Sequence, residues 1–202
     1  MNLIVDPGSC HDGDLNKAKE LVKIAYECGA SACKFQLIGD KEIERGNVLL
    51  PWEWMTELTE TADIEVFASV FSGSGADWLV GLGCQSIKFA HCEQMLYQEQ
   101  CNHLPFENIY LSSGVLNCQP KECINLFCIP EYPVLYDVNF DNIFPRFDGF
   151  SSHCMGIEQD KKAIDMGAKY IEKHIKGTWD SPCLDAKFAI NPQQLEELVK
   201  YG

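Results

Sequence analysis

Two lysines of this sequence stand inside apolar segments, where a charge is costly. Lys34 lies within Ala-Cys-Lys-Phe-Gln, and Lys88 lies within Ile-Lys-Phe-Ala. Burial of a charged side chain without a partner is unfavourable, so each lysine needs a counter-ion or a ligand. An ion pair inside the fold is one explanation. The serines at or near the ends of neighbouring segments, Ser69, Ser112 and Ser151, favour the alternative, a pocket that binds phosphate or carboxylate.

Two histidines, His153 and His174, stand at the ends of the last two apolar segments. Two imidazoles, together with water or substrate oxygens, suit a divalent cation such as Mn²⁺, Zn²⁺ or Fe²⁺. A single histidine at such a place is more often a hydrogen-bonded side chain, so it is the pair that favours a metal site. Further polar residues within or after the same segments complete the candidate set from the residues alone: Asp6, His11, Gln36, Ser72, His91, Glu93, Ser113, Tyr132, Ser152 and Glu172.

Short β-rich runs alternate with helical patterns along the whole chain. Eight runs have the composition of buried strands: 3–6, 32–37, 65–71, 86–90, 108–112, 125–129, 147–151 and 170–174. The clearest helical pattern covers 14–28, with Asp14 as its N-cap and Gly29 as its stop. Two more cover 157–166 and 192–201, and Asn191 is expected to cap the last.

Strict alternation of strands and helices is typical of a parallel sheet covered by helices. Eight such repeats indicate an α/β fold, a closed (β/α)₈ TIM barrel. Each repeat has only about 25 residues, close to the lower limit for such barrels, so some helices must be a turn or two long. We therefore expect a minimal TIM barrel that forms a single catalytic domain over residues 1–202. Active sites of this fold lie where the strands end, which is where the candidate residues stand.

The charge balance argues against several classes of partner. The chain has 16 Lys and Arg against 30 Asp and Glu, a formal net charge of −14. Such a surface repels nucleic acid and anionic membranes, so neither is expected as a partner. No apolar run has the length of a membrane span and the N-terminus lacks a secretory signal pattern, so we expect a cytoplasmic protein. The eleven cysteines show no Cys-x-x-Cys spacing and are expected to be reduced, mostly buried thiols.

The order of these segments resembles the sialic acid synthase family. The stretch 6–15, with His11 in a tight turn, leads through a helix to Lys34-Phe-Gln36, as the opening of that family does. Later segments are similar in register: Phe67-Ala-Ser69, Ile87-Lys88, Leu111-Ser-Ser-Gly114, Phe150-Ser-Ser-His153 and Ile171-Glu-Lys-His174. Asp185 stands where the family has Gly-Pro-Asp. The resemblance covers essentially the whole chain.

This resemblance implies a reaction. Phosphoenolpyruvate condenses with the open-chain aldehyde of an N-acetylated hexosamine or a related sugar, giving a 2-keto-3-deoxy sugar acid and phosphate. By similarity, His153 and His174 hold a divalent ion, Mn²⁺ or Mg²⁺, that polarises the aldehyde oxygen. The implied catalytic residues are Asp6, Lys34, Lys88 and Glu172. The implied substrate-binding residues are Gln36, Ser69, Ser112, Tyr132, Ser151 and Asp185.

Several positions depart from the family pattern. Asp6 replaces Glu, Cys10 replaces Asn and Glu107 replaces Lys, while Pro130 replaces a polar residue. The sequence ends at Gly202, so we expect the family's C-terminal antifreeze-like domain to be absent and a homodimer or a separate partner chain to complete the site. Two alternatives stay open: a divergent metal-dependent aldolase or lyase acting on another small aldehyde, and an inactive barrel that serves as a binding module.

Overall fold

Eight parallel strands form a closed barrel in the computed structural model, which describes residues 1–39, 43–44, 46–100, 104–114, 123–144 and 146–202. The strands are β1 (Asn2–Asp6), β2 (Ala32–Leu37), β3 (Glu65–Val70), β4 (Ser86–Phe89), β5 (Asn108–Ser113), β6 (Ile124–Cys128), β7 (Gly149–Ser152) and β8 (Tyr170–His174). Each strand pairs with the next, and β1 also pairs with β8, where Asp6 lies opposite His174. The predicted (β/α)₈ barrel is confirmed, with strand bounds within two residues of those predicted.

Helices cover the outside of the barrel. They are α1 (Leu15–Glu27), α2 (Trp54–Thr59), α3 (Gly73–Gly81), α4 (Gln94–Gln100), α5 (Glu158–Asp165) and α6 (Pro192–Tyr201), with 3₁₀ helices at His91–Glu93 and Leu184–Lys187. The Asp14 carboxylate accepts hydrogen bonds from the backbone N–H groups of Asn16 and Lys17 and so caps α1. Asn191 and Gln194 form a capping box at the start of α6. Both predicted N-caps are therefore present.

The main apolar core lies between the barrel and these helices. Leu21 and Val22 of α1 and Leu195 and Leu198 of α6 are fully buried in it. Burial of each such side chain contributes on the order of 1.5–3 kcal/mol, so the helices hold the strands firmly in place. Within the described ranges, no helix is both long and apolar enough to cross a membrane.

Alternate strand residues point into the barrel. In β2, Cys33, Phe35 and Leu37 belong to the outer core, whereas Lys34 contacts residues of the barrel interior. A second, smaller apolar cluster fills one end of the interior, and we call it the barrel floor: Ile4, Ala32, Phe67, Tyr110 and Leu126. Two residues further along each strand the inward positions become mostly polar. This change gives the carboxyl end of the barrel its chemistry.

Candidate active site

A cavity of about 350 Å³ opens at the carboxyl ends of the strands. Its lining includes all twelve residues implied by the sequence: Asp6, Lys34, Gln36, Ser69, Lys88, Ser112, Tyr132, Ser151, His153, Glu172, His174 and Asp185. They come from all eight strands or from the loops that follow them. Parallel strands in a closed barrel end on the same face, so residues far apart in sequence converge there. The structure therefore places all twelve residues at one cavity. The role of each residue in binding or catalysis stays a prediction.

Lys34 and Asp6 form a buried ion pair in the cavity wall. Lys34 Nζ lies 2.6 Å from Asp6 Oδ2 and 2.7 Å from Ser69 Oγ, and Gln36 Nε2 donates a 3.0 Å hydrogen bond to the same Asp6 oxygen. Burial alone would raise the pKa of Asp6, but the Lys34 charge and these hydrogen bonds hold it well below its usual range. Burial likewise opposes the charge on Lys34, yet the Asp6 and Glu172 carboxylates raise its pKa. Both partners are therefore ionised near neutral pH.

A second pair, Lys88 and Glu172, adjoins the first. Lys88 Nζ contacts Glu172 Oε2 directly and lies 3.4 Å from Ser151 Oγ. Glu172 Oε1 is 3.8 Å from Lys34 Nζ, which joins the two pairs into one cluster. Burial would raise the pKa of Glu172, but the charges of Lys88 and Lys34 keep it below its usual range. Burial lowers the pKa of Lys88, because only the Glu172 carboxylate opposes the effect of burial there. Lys34 has two carboxylates beside it, Asp6 and Glu172, and its pKa is raised.

These four charged side chains form a neutral cluster, with two positive and two negative groups. None of them is more than 3% exposed. The sequence left open whether the lysines form ion pairs or an anion pocket. The structure contains the ion pairs, and the paired lysines still line the cavity. The cluster therefore offers N–H donors to a ligand but no excess of positive charge.

His153 and His174 lie close together, with ring centroids 5.7 Å apart. His153 Nδ1 lies 3.1 Å from the Ile129 carbonyl oxygen, which requires a proton on Nδ1 and leaves a lone pair on Nε2. His174 Nδ1 is buried without a hydrogen-bond partner among the described residues, and its Nε2 is 3.5 Å from Asp6 Oδ2. Burial, together with the neighbouring His174, lowers the pKa of His153 to about 3. The His153 ring is therefore neutral near pH 7.

Two imidazole nitrogens could serve as ligands for a metal ion at this place. The described part of the chain holds no group of three or more His, Cys, Asp or Glu side chains arranged to bind a metal. An ion between His153 and His174 would therefore take its other ligands from water or substrate oxygens. A borderline divalent cation tolerates such a mixed ligand set.

The loop after β8 brings Asp185 to the cavity. Asp185 Oδ2 accepts a 2.7 Å hydrogen bond from Ser9 N, and Asp6 Oδ1 accepts one of 2.8 Å from Gly8 N. Gly8 has φ +51°, and a Cβ there would lie 2.4 Å from Asp185 Oδ2 and 2.9 Å from His174 Nδ1. The turn between β1 and α1 therefore requires glycine both for its backbone conformation and for its closeness to the site.

The cavity has an exposed rim and a buried interior. Tyr132 is 61% exposed at the rim, and its ring centroid lies 4.1 Å from that of His153. Ser112 Oγ is buried and has no hydrogen-bond partner in the described part of the chain. A buried hydroxyl without a partner is costly unless a ligand or water supplies one. Ser112 therefore marks the interior as a place for a polar ligand.

The chain is similar to several sugar-acid synthases. The NeuB family model matches residues 115–201. The N,N'-diacetyllegionaminic acid synthase of Legionella pneumophila is 27% identical, over 98% of this chain and 70% of that protein. The human N-acetylneuraminate-9-phosphate synthase is 25% identical, over 98% of this chain and 68% of that protein.

A solved structure agrees with these sequence matches. The N-acetylneuraminic acid (sialic acid) synthetase of Leptospira borgpetersenii, in complex with citrate, aligns with a TM-score of 0.84 at 25% identity, covering 98% of this chain and 81% of that one. Over residues 115–201 the chain resembles the NeuB family. The family resemblance of its motifs is thereby confirmed. The chain spans about two thirds of the length of the two curated relatives.

Some residues of this cavity were not in the predicted set. They are Asn47, Phe71, Ala90, Cys92, Cys128, Leu184, Lys187 and Phe188, whereas His91, a candidate after β4, is also in the lining. Cys128 could have been found, because it stands two residues after Leu126 of the barrel floor and so shares the inward register. Asn47 comes from a loop, and Lys187 ends the short 3₁₀ helix that follows β8. The path of such connections across the barrel face leaves no periodic signal in the sequence.

Proposed function

We propose that this chain is a member of the NeuB family and acts as a phosphoenolpyruvate-dependent synthase. In the proposed reaction, phosphoenolpyruvate condenses with the open-chain aldehyde of an N-acetylated hexosamine or a related sugar, giving a 2-keto-3-deoxy sugar acid and phosphate. The observation that carries the proposal is the buried four-residue cluster, which shares one cavity with His153 and His174. The cluster consists of Asp6, Lys34, Lys88 and Glu172. The relatives are synthases of diacetyllegionaminic acid and of N-acetylneuraminate 9-phosphate, which supports a sugar aldehyde as the second substrate.

The inner cavity offers donors for phosphate and carboxylate oxygens. An ammonium group has three N–H donors, and Lys34 uses two of them on Asp6 and Ser69. Ser112 adds a buried hydroxyl that has no partner among the described residues. These groups, with Lys88 on the neighbouring pair, would hold the anionic groups of phosphoenolpyruvate. Asp6 would keep Lys34 charged and oriented.

His153 and His174 would hold a divalent cation, Mn²⁺ or Mg²⁺. The orphaned Nδ1 of His174 and the lone pair on Nε2 of His153 support this part of the proposal. The bound ion would supply a Lewis acid that polarises the aldehyde oxygen. Because the four-residue cluster beside it is neutral, the net positive charge that a polyanion requires would come from this ion.

Lys88 and Glu172 are placed to move protons. In the reaction, C3 of phosphoenolpyruvate bonds to the aldehyde carbon, the aldehyde oxygen takes up a proton, water adds at C2 and phosphate leaves. Burial lowers the pKa of Lys88, which suits it to donate a proton, and Glu172 in contact with it would accept one from the attacking water. Tyr132 and Asp185, which come from loops, would bind the hydroxyl groups of the sugar.

Release of inorganic phosphate tests the proposal. The purified chain is supplied with Mn²⁺, phosphoenolpyruvate and a panel of aldehydes that includes N-acetylmannosamine. We expect release that depends on the aldehyde, and we expect Lys88→Met to reduce the rate at least about 100-fold. Lys19→Met serves as the control, because Lys19 pairs with Glu57 away from the cavity and its loss should leave the rate unchanged.

Two results would contradict the proposal. Absence of phosphate release with every aldehyde tested, in protein shown to be folded, would leave the synthase reaction without support. Formation of pyruvate from a keto sugar acid, without phosphate release, would instead favour the metal-dependent aldolase.

A further inference from the structure

Two thiols outside the lining of the substrate cavity lie in contact. Cys10 Sγ and Cys183 Sγ are 3.1 Å apart, although the residues are 173 positions apart in the chain. Cys10 lies in the turn between β1 and α1, and Cys183 directly precedes the 3₁₀ helix Leu184–Lys187. The sulfur atoms of a disulfide are about 2.05 Å apart, so an approach of about 1 Å would join these two.

The two thiols differ in how readily they ionise. The two thiols share a hydrogen bond in which either sulfur can be the donor. This contact and the Ser181 hydroxyl lower the pKa of Cys183 to about 7, although burial opposes the effect. The same contact, together with burial, raises the pKa of Cys10. Near neutral pH, Cys183 therefore carries a substantial share of thiolate, which is the reactive form of the side chain.

Cys183 is also the thiol that an oxidant can reach. It lines a surface groove formed by the loop after β8, together with Trp179, Ser181 and Pro182. Cys183 is 7% exposed, whereas Cys10 is completely buried. The site thus has a reactive thiol at a groove and a second thiol in contact with it on the inner side.

We propose that Cys10 and Cys183 form a reversible disulfide, a modification site independent of the proposed synthase activity. With a hydroperoxide as oxidant, the Cys183 thiolate attacks the peroxide, the O–O bond breaks, and an alcohol or water leaves after taking a proton from solvent. The product at Cys183 is a sulfenic acid. The Cys10 sulfur then attacks the Cys183 sulfur, the S–O bond breaks, and the oxygen leaves as water with the Cys10 thiol proton. A dithiol reductant returns both thiols by exchange.

The disulfide would join two segments that build the cavity wall. Ser9, next to Cys10, donates its N–H to the carboxylate of Asp185, which lies two residues after Cys183. The two segments are therefore already held together, and the bond would fix this arrangement. A cross-link between distant positions also restricts the unfolded chain, so the oxidised protein should melt at a higher temperature than the reduced protein.

Peptide mapping of the intact chain tests the proposal directly. Reduced protein is treated with a small excess of hydrogen peroxide, remaining thiols are alkylated, and the protein is digested without reductant. We expect a cross-linked peptide pair that contains Cys10 and Cys183 and that disappears after treatment with dithiothreitol. Oxidation of other thiols without this peptide pair would overturn the proposal.

Variants supply an independent measurement. Oxidation should raise the melting temperature of the wild type but not that of Cys10→Ser or Cys183→Ser, each shown to be folded by circular dichroism. Cys84→Ser is the matched control, because its half-buried thiol contacts the Val66 carbonyl oxygen, and this variant should respond as the wild type does. Alkylation of Cys183 should also require a higher pH in Cys10→Ala, which leaves no hydrogen-bond donor at position 10. An unchanged pH profile together with an unchanged melting response in the wild type would contradict the pairing.

Discussion

Burial gives the ion pair of Lys34 and Asp6 a structural role in addition to a binding role. We expect Lys34→Met to lower the free energy of unfolding by about 3–5 kcal/mol, because the substitution leaves the Asp6 carboxylate buried without its cation. Urea unfolding followed by circular dichroism near pH 7 measures this loss.

Two further variants separate charge from packing. Asp6→Asn combined with Lys34→Met removes both charges, so this double variant should be more stable than Lys34→Met alone. Lys19→Met breaks a partly exposed pair with Glu57 and should cost less than about 1 kcal/mol. Equal losses of unfolding free energy in Lys34→Met and Lys19→Met would show that burial of the Lys34–Asp6 pair does not increase its contribution to stability.

Burial also makes stability depend on pH through His11. It lowers the pKa of His11 from 6.5 to about 4. Between these values the unfolded chain binds a proton that the folded chain does not, so this contribution is complete above pH 6.5 and is lost as the pH falls towards 4. Each pH unit in that window costs about 1.4 kcal/mol for this one ring.

We therefore expect His11→Gln to reduce the pH slope of the unfolding free energy by about 1.4 kcal/mol per unit between pH 6.5 and about 5. Urea titrations of both proteins across that range provide the measurement. Asp6 and Glu172, whose pKa values are lowered on folding, contribute to the slope only below about pH 4.5. Parallel slopes in the two proteins would contradict a neutral, buried His11.

The turn between β1 and α1 depends on Gly8. A methyl group there would lie 2.4 Å from Asp185 Oδ2, the oxygen that accepts the hydrogen bond from Ser9 N, so Asp185 would have to shift. Gly156→Ala is a matched control, because Gly156 has φ +66° and nothing within 4 Å of an added Cβ. It measures the backbone cost alone, about 1–2 kcal/mol.

We expect the stability loss in Gly8→Ala to exceed that in Gly156→Ala by about 1–3 kcal/mol. Thermal and urea unfolding of the two variants give the difference. If both variants lose the same stability, a methyl group at position 8 is accommodated without the steric conflict with Asp185.

The strands and the inward polar residues could be predicted because a barrel strand carries its own signal. In β8, inward Glu172 and His174 follow Tyr170 at alternate positions, and β2 repeats the pattern with Ala32 and Lys34. The local sequence therefore indicates both the strand and the position at which its inward side chains become polar.

The remaining features depend on contacts that no local pattern contains. In the pairing of β1 with β2, Val5 lies opposite Cys33, so the next residues, Asp6 and Lys34, are also neighbours and form an ion pair. This register is known only from the folded barrel. Asn47 reaches the cavity only through the path of a loop. The contact of Cys10 with a thiol 173 positions away likewise requires the complete fold.

The acidic character of the whole molecule affects any test of metal binding. We expect Mn²⁺ to raise the melting temperature, with a stabilisation of about 2.7 kcal/mol at a free concentration 100 times the Kd. Most of this response should be lost when His153→Gln and His174→Gln are combined. Because a net charge of −14 also attracts cations without specificity, scanning fluorimetry should be repeated at high salt, which screens surface binding. An undiminished shift in the double variant would place the ion elsewhere.

The barrel floor closes the interior below the cavity and so determines how two ligands can share it. Lys34 and Lys88 lie just above the floor and are almost inaccessible, whereas Tyr132 stands exposed at the rim. A ligand bound at the rim therefore blocks the way to the lysines. For the proposed reaction, binding is therefore expected to be ordered, with phosphoenolpyruvate entering before the aldehyde. An excess of aldehyde would occupy the cavity before phosphoenolpyruvate has bound. The initial rate should therefore pass through a maximum as the aldehyde concentration rises. A higher phosphoenolpyruvate concentration should restore the rate.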